Sequence, residues 1–266
     1  MPCLASGGLD SETRDKLYGW PMDAEHVAVI SDVHGNVPAL RAVLAAIDES
    51  DAELVVSLGD ATWGAQPEET RMLLESLELP AIFVNGNGER ALRELRAGRD
   101  GNERERWMRD RHSEATHAFL GTFVDSAVVT VAGLGAVRFC HGSPRSDIEL
   151  ITPETPPERM RSLMEGVPET VLLSGHTHLQ FERQVAGVRS VNPGSVGMPY
   201  HELRGAFWAL VGPDVTLMRT EYDLDDTASA YRASGDPLTK EMIETLLAPP
   251  GPAEVIEYAE GLEFRE

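Results

Sequence analysis

Cysteine and basic side chains are scarce here and long apolar runs are missing, and each shortage closes off a class of protein. Two cysteines, Cys3 and Cys140, occur in 266 residues. That is too few for a disulfide framework, so a reducing cytoplasm is the expected setting. Lys and Arg number 23 against 44 Asp and Glu, a formal net charge of -21. A field of that sign repels a phosphate backbone at long range, which argues against extended nucleic acid as a partner. No apolar segment nears the roughly 20 residues of a membrane span, so no membrane partner is expected. The first residues lack a basic stretch followed by an apolar one, and secretion is not expected either. Composition says nothing about oligomeric state.

What is present suffices for one sizeable core: 42% of the residues are hydrophobic, and the length suits a single domain. Residues 1–25 mix Gly, Ser, Asp and Glu without period and read as an extension. Then His26–Ile30 reads as a buried strand, 31–36 as a turn and Val37–Glu49 as a helix with Leu40, Val43, Leu44 and Ile47 on one face. Strand Leu54–Ser57, helix Pro67–Leu77 and strand Ala81–Val84 repeat the pattern, which implies a parallel sheet. Helices are expected at Glu89–Leu95 and Glu103–Leu120, and residues 97–120 could form a cap beside a site. Short apolar strands follow at 127–131, 137–140, 171–173, 185–191, 206–211 and 215–219, a second and largely antiparallel sheet. A helix is expected at 153–165 and two more at 221–233 and 237–247. The domain is thus placed at 26–248, with Pro-Pro-Gly-Pro opening a tail over 249–266.

The chemistry-bearing residues fall just after predicted strands, where the ends of an open sheet converge on one crevice. They are Asp32 and His34 after the first strand, Asp60 after the second, Asn87 after the third, His141 after 137–140, and His176 and His178 after 171–173. Singly, each has an ordinary use: Asp-x-His can cap a helix, a lone Asp can shape a turn, and Asn-Gly is a common hairpin turn. Together, oxygen and imidazole donors at five strand ends point to bound cations. Alternate imidazoles in an extended His-x-His point to opposite sides, which suits two cations side by side. The donor types suit manganese, iron or zinc. Asn192-Pro193-Gly194-Ser195 reads as the floor of the site.

The ordered set Asp32-x-His34, Gly59-Asp60, Gly86-Asn87, His141 and Gly175-His176-x-His178 resembles the calcineurin-like metallophosphoesterases, in particular their small single-domain prokaryotic phosphodiesterase branch. The motifs span residues 31–195. The resemblance implies an α/β fold, a four-layer α-β-β-α sandwich of two mixed sheets flanked by helices. It places Asp32, His34 and His178 on one divalent ion, Asn87, His141 and His176 on another, and Asp60 between them, with Asp60, Asn87 and His141 catalytic. Two ions roughly 3.5 to 4 Å apart would share a hydroxide that attacks a small phosphate ester or nucleotide in line. Protein phosphatases and non-catalytic protein-binding modules share the fold, and they are the alternative readings.

One position departs from the pattern. Many relatives have a proton-donating His after the metal-binding Asn, and here that residue is Gly88. General acid catalysis contributes roughly 10²- to 10⁴-fold, so a poor leaving group should suffer unless another residue substitutes. His112, His117 and His201 are candidates by type. Glu89, Arg90 and Arg93 begin the next helix, where Arg can grip a phosphate oxygen, or all three can be solvated helix charges. Arg90, His112 and His117 are the expected substrate-binding residues.

Overall fold

Runs of β-branched residues alternate with amphipathic helices through the first third of the chain. In the computed structural model, which describes residues 23–262, these become β1 (Asp23–Ala24), β2 (Val27–Ile30), α1 (Val37–Asp48), β3 (Leu54–Ser57), α2 (Pro67–Glu75) and β4 (Ala81–Phe83). Proline stands in the first turn of α1 and α2, where its missing N–H leaves no bond unmade. Asn36 caps α1, accepting the Ala39 N–H at 3.2 Å. Next come α3 (Asn87–Arg96), α4 (Glu103–Arg111), α5 (Glu114–Leu120), β5 (Ser126–Val131), β6 (Gly135–Cys140), α6 (Pro157–Leu163) and β7 (Val171–Ser174). The chain continues through β8 (Gln180–Val185), β9 (Val188–Pro193), β10 (Ala206–Val211), β11 (Val215–Thr220), α7 (Leu224–Ser234), α8 (Thr239–Leu247) and α9 (Pro252–Glu260).

The strands form two sheets, ordered β11-β10-β2-β3-β4 and β1-β5-β6-β7-β9-β8. β2, β3 and β4 run parallel, while β10 pairs antiparallel with β2 and β11. The second sheet is also mixed: β5-β6 and β8-β9 are antiparallel, whereas β6-β7 and β7-β9 are parallel. This corrects the expectation of a largely antiparallel second sheet that would include 206–211 and 215–219. Those two strands complete the first sheet, because β2 has a free edge that an apolar strand can satisfy from either side. Side-chain alternation then builds the layers. Val27, Val29, Leu54 and Val56 meet Val129, Phe139, Val171 and Leu173 between the sheets. Ala28, Ile30 and Val55 face Leu40, Val43 and Ile47 of α1. Leu172 and Phe181 face Met160 and Leu163 of α6. Helices, sheet, sheet and helices are thus stacked as the resemblance implied.

Three local expectations change. The helix expected over 103–120 breaks at His112, which is extended, and Ser113 caps a new helix by accepting the Thr116 N–H. The strand expected over 185–191 is a hairpin, turned at Ala186-Gly187 with both φ positive. Within the expected tail, α9 packs Val255 and Ile256 on the α6 side of the second sheet, and the Glu260 carboxylate accepts from the Thr152 and Thr155 hydroxyls. At the other end, Asp23–Ala24 adds to the edge of β5, and residues 1–22 of the expected extension lie outside the described residues. Among the described residues, no helix is long and apolar enough to cross a membrane.

Candidate metal centre

The seven expected ligands sit on loops at the ends of β2, β3, β6 and β7 and at the start of α3. Most adopt a backbone that side chains avoid. Asp32, His34, Asp60, His176 and His178 have φ of 53°, 49°, 50°, 67° and 57°; among the described residues only Ala186 joins them outside glycine. A left-handed non-glycine residue costs on the order of 1–3 kcal/mol and persists where its surroundings impose it. Here the loops are laced together: the N–H groups of Asp32, His34 and Gly35 donate to the carbonyls of Gly59, Asp60 and Ala61 at 2.9–3.0 Å. Ser195 Oγ donates to the Asp32 carbonyl at 2.8 Å, and Asn192 Nδ2 to the Gly175 carbonyl at 2.7 Å. The 192–195 segment therefore does form a floor.

Glu89 is the organising residue that sequence reading left undecided. Its side chain is fully buried, and its carboxylate accepts the N–H groups of Asp60, Ala61 and Gly86 at 2.8–2.9 Å. One carboxylate thus holds the Asp60 loop and the Asn87 loop together. The signal was its place three residues after Gly86, the capping-box spacing. Glycine is required at 59, where a Cβ would come within 2.5 Å of the Gly86 nitrogen. At Gly88 a Cβ would meet Asp60 Oδ1 at 2.9 Å and Trp63 Cβ at 3.1 Å, and its N–H donates to that same Asp60 oxygen at 2.7 Å.

The side chains converge on one cluster. His34 Nε2 lies 3.1 Å from His178 Nε2, and His178 Nε2 lies 3.2 Å from Asp32 Oδ1. His141 Nε2 lies 3.0 Å from Asn87 Oδ1 and 3.1 Å from His176 Nδ1. Asp60 reaches both groups, with Oδ2 3.9 Å from His34 Nε2 and Oδ1 3.7 Å from His141 Nε2. Asp32, His34 and His178 can offer atoms to one ion, as can Asp32, Asp60 and His141.

Tautomers decide what this arrangement is for. The Nδ1–H of His34, His141 and His178 donates to the carbonyls of Trp63, Leu58 and Met198 at 3.1, 2.7 and 2.7 Å. A carbonyl only accepts, so each neutral ring turns a bare Nε2 lone pair inward. Lone pairs of His34 and His178 therefore face each other beside Asp32 Oδ1, which is buried without a hydrogen-bond donor. Acceptors that converge in this way repel unless a cation sits among them. The residues fit a bound metal ion.

The charges agree. Burial would raise the Asp32 carboxyl, but His178, His141 and His34 together hold it below the usual range. Burial and the His178 charge push His34 down to about 4, and burial with His141 pushes His176 down to about 3. These two imidazoles are neutral and ready to ligate at neutral pH.

The expected substrate-binding residues part company. Arg90 donates from Nε to Asp147 at 2.6 Å and from Nη1 to Glu94 at 3.0 Å. With Arg93, Arg145 and His141 it lines a cavity of about 450 Å³. His112 spends both ring nitrogens elsewhere, Nδ1 on the Met108 carbonyl at 2.7 Å and Nε2 on Thr62 Oγ1 at 3.0 Å. It braces the Asp60 loop from outside the cluster. His117 stands beside His112, ring centroids 5.9 Å apart, and His201 stacks on Phe207. Tyr200, unremarked in the sequence, stacks on His178 at 5.0 Å.

Fold and site together define a metal-dependent phosphoesterase, and comparison with known proteins agrees. The calcineurin-like phosphoesterase superfamily domain matches residues 26–211. A metallophosphoesterase from Sphaerobacter thermophilus is 26% identical, with a TM-score of 0.68 over 84% of this chain and 99% of that one. A hypothetical protein from Pyrococcus horikoshii shares the fold at 20% identity, TM-score 0.74, over 85% of this chain and 99% of its own. An uncharacterized protein of Methanocaldococcus jannaschii is 24% identical over 227 residues, 74% of this chain and 88% of the relative. The chain belongs to the calcineurin-like phosphoesterase superfamily and is a metal-dependent phosphoric ester hydrolase.

Proposed function

We propose that the cluster is a binuclear centre and that the chain hydrolyses a small phosphate ester, a diester or monoester such as a nucleotide. The observation that carries this reading is the inward convergence of bare Nε2 atoms on Asp32 and Asn87 oxygens. Asp32, His34 and His178 would hold one ion and Asn87, His141 and His176 the other. Asp60, which approaches His34 with one oxygen and His141 with the other, would serve both. The mixed donor set suits manganese, with iron or zinc as the other candidates. When bound, the two ions supply charge neutralisation at the phosphoryl group and an activated water for in-line attack. Arg90 and Arg93 place positive charge beside His141, where a phosphate oxygen can be gripped against the field of an acidic protein. Gly88 has no side chain to protonate the departing oxygen, so Asp60, Asn87 and His141 would act through the ions they hold and esters with good leaving groups are favoured. The working unit extends through α9 instead of ending at residue 248, and a reducing cytoplasm suits Cys140, which is buried and free among the described residues.

Metal content tests the reading. Protein reconstituted with manganese and desalted should carry two ions per chain, Asn87→Ala about one, and His112→Gln two. One ion or none in the unaltered protein contradicts a binuclear centre.

A further inference from the structure

Two of the large apolar side chains left open to solvent stand at one place. Ile148 is 45% exposed and Tyr258 of α9 is 66% exposed, and both line a cavity of about 510 Å³ between the 148–150 segment and the C-terminal helix. Val255, Tyr200 and His176 supply further wall. His176 connects this cavity to the metal cluster, since its Nδ1 lies 3.1 Å from His141 Nε2. Tyr200 connects it a second time by stacking on His178. The chain between Asp147 and Ile148 divides two environments: Asp147 lines the arginine cavity beside His141, and Ile148 the apolar one beside His176. Glu254 is the one acid in the apolar lining, which contains no Lys or Arg. A second phosphate would meet no cation there, whereas a neutral flat group would find aliphatic and aromatic walls. The volume falls within the range of small-molecule sites.

We propose that this cavity is the subsite for the organic group of the substrate, and that the substrate class is a phosphate ester bearing an aromatic or similarly flat apolar group. The inference rests on the binuclear reading, which seats the phosphoryl group at the cluster. It gives α9 a role in selectivity, because Val255 and Tyr258 come from that helix.

The test is calorimetric titration of manganese-loaded and metal-stripped protein with phenylphosphonate and methylphosphonate, which present the same anionic group and differ in the apolar part. Both should bind only the loaded protein, phenylphosphonate about tenfold or more tightly, as burial of a ring requires. Tyr258→Ala and Ile148→Ser, both at exposed positions, should each cut that ratio to about threefold or less and leave methylphosphonate affinity unchanged. Equal affinities in the unaltered protein, or a ratio that survives both substitutions, overturn the subsite alone. Binding of neither phosphonate to the loaded protein overturns the metal-centre reading and the subsite with it.

Discussion

A carboxylate sealed from water is costly unless donors surround it, and Glu89 is held by three backbone N–H groups from two loops. Removing it strands three buried donors. Glu89→Ala should therefore lower unfolding free energy by roughly 3 kcal/mol or more and weaken metal binding. Chemical denaturation and a manganese titration check both effects, and a variant as stable as the parent would show that Glu89 is not the organiser. The candidate ligands stood out in the sequence because each follows a strand. Their left-handed backbone did not, since Asp and His enter that region more often than most side chains yet still favour the extended one. Tertiary hydrogen bonds such as His34 N–H to the Asp60 carbonyl impose it. His112 and His117 were candidates by type for the missing acid and for substrate binding. The Met108 carbonyl and Thr62 hydroxyl occupy both nitrogens of the His112 ring, contacts that its residue type could not reveal.

Among the elements, the break between α4 and α5 shows how a polar residue with a local partner overrides periodicity. Ser113 offers its hydroxyl as a cap, and its own N–H and hydroxyl donate to Glu68 of α2, so two short helices with satisfied ends replace one long one. His112 at the break carries a pH dependence. Burial, opposed by the Met108 hydrogen bond, pushes its pKa down to about 4 from an ordinary 6.5. The unfolded chain then binds the proton more readily than the folded one, so stability conferred above pH 6.5 is lost as pH falls toward 4. Between pH 7 and 4.5 the loss should be roughly 2–3 kcal/mol from this residue, absent in His112→Gln. Urea midpoints of the two metal-stripped proteins at both pH values measure it, and parallel curves would refute it. The hairpin at Ala186-Gly187 escaped the sequence reading because β8, Gln180–Val185, alternates buried and polar residues too weakly to announce a strand. The α9 helix was obscured by its proline-rich approach, which reads equally well as the start of a tail and as the first turn of a helix.

At the scale of the molecule, two mixed sheets packed face to face bring loops from both to one rim, so a site can draw ligands from residue 32 to residue 178 without a long excursion of chain. Apolar strand runs alternating with amphipathic helices made the three parallel strands β2, β3 and β4 readable. Which sheet β10 and β11 join was not readable, because an apolar strand serves any open edge. The acidic excess sets the arginine cavity apart as the local exception that an anionic substrate needs. The most direct test of the whole account is turnover of a chromogenic phosphodiester and its monoester by metal-stripped protein, before and after manganese is added, beside Asp60→Asn. The account predicts hydrolysis that appears with manganese and falls at least about 100-fold in the variant, the loss of several kcal/mol of stabilisation by the metal pair. Hydrolysis indifferent to metal, or undiminished in Asp60→Asn, would contradict it.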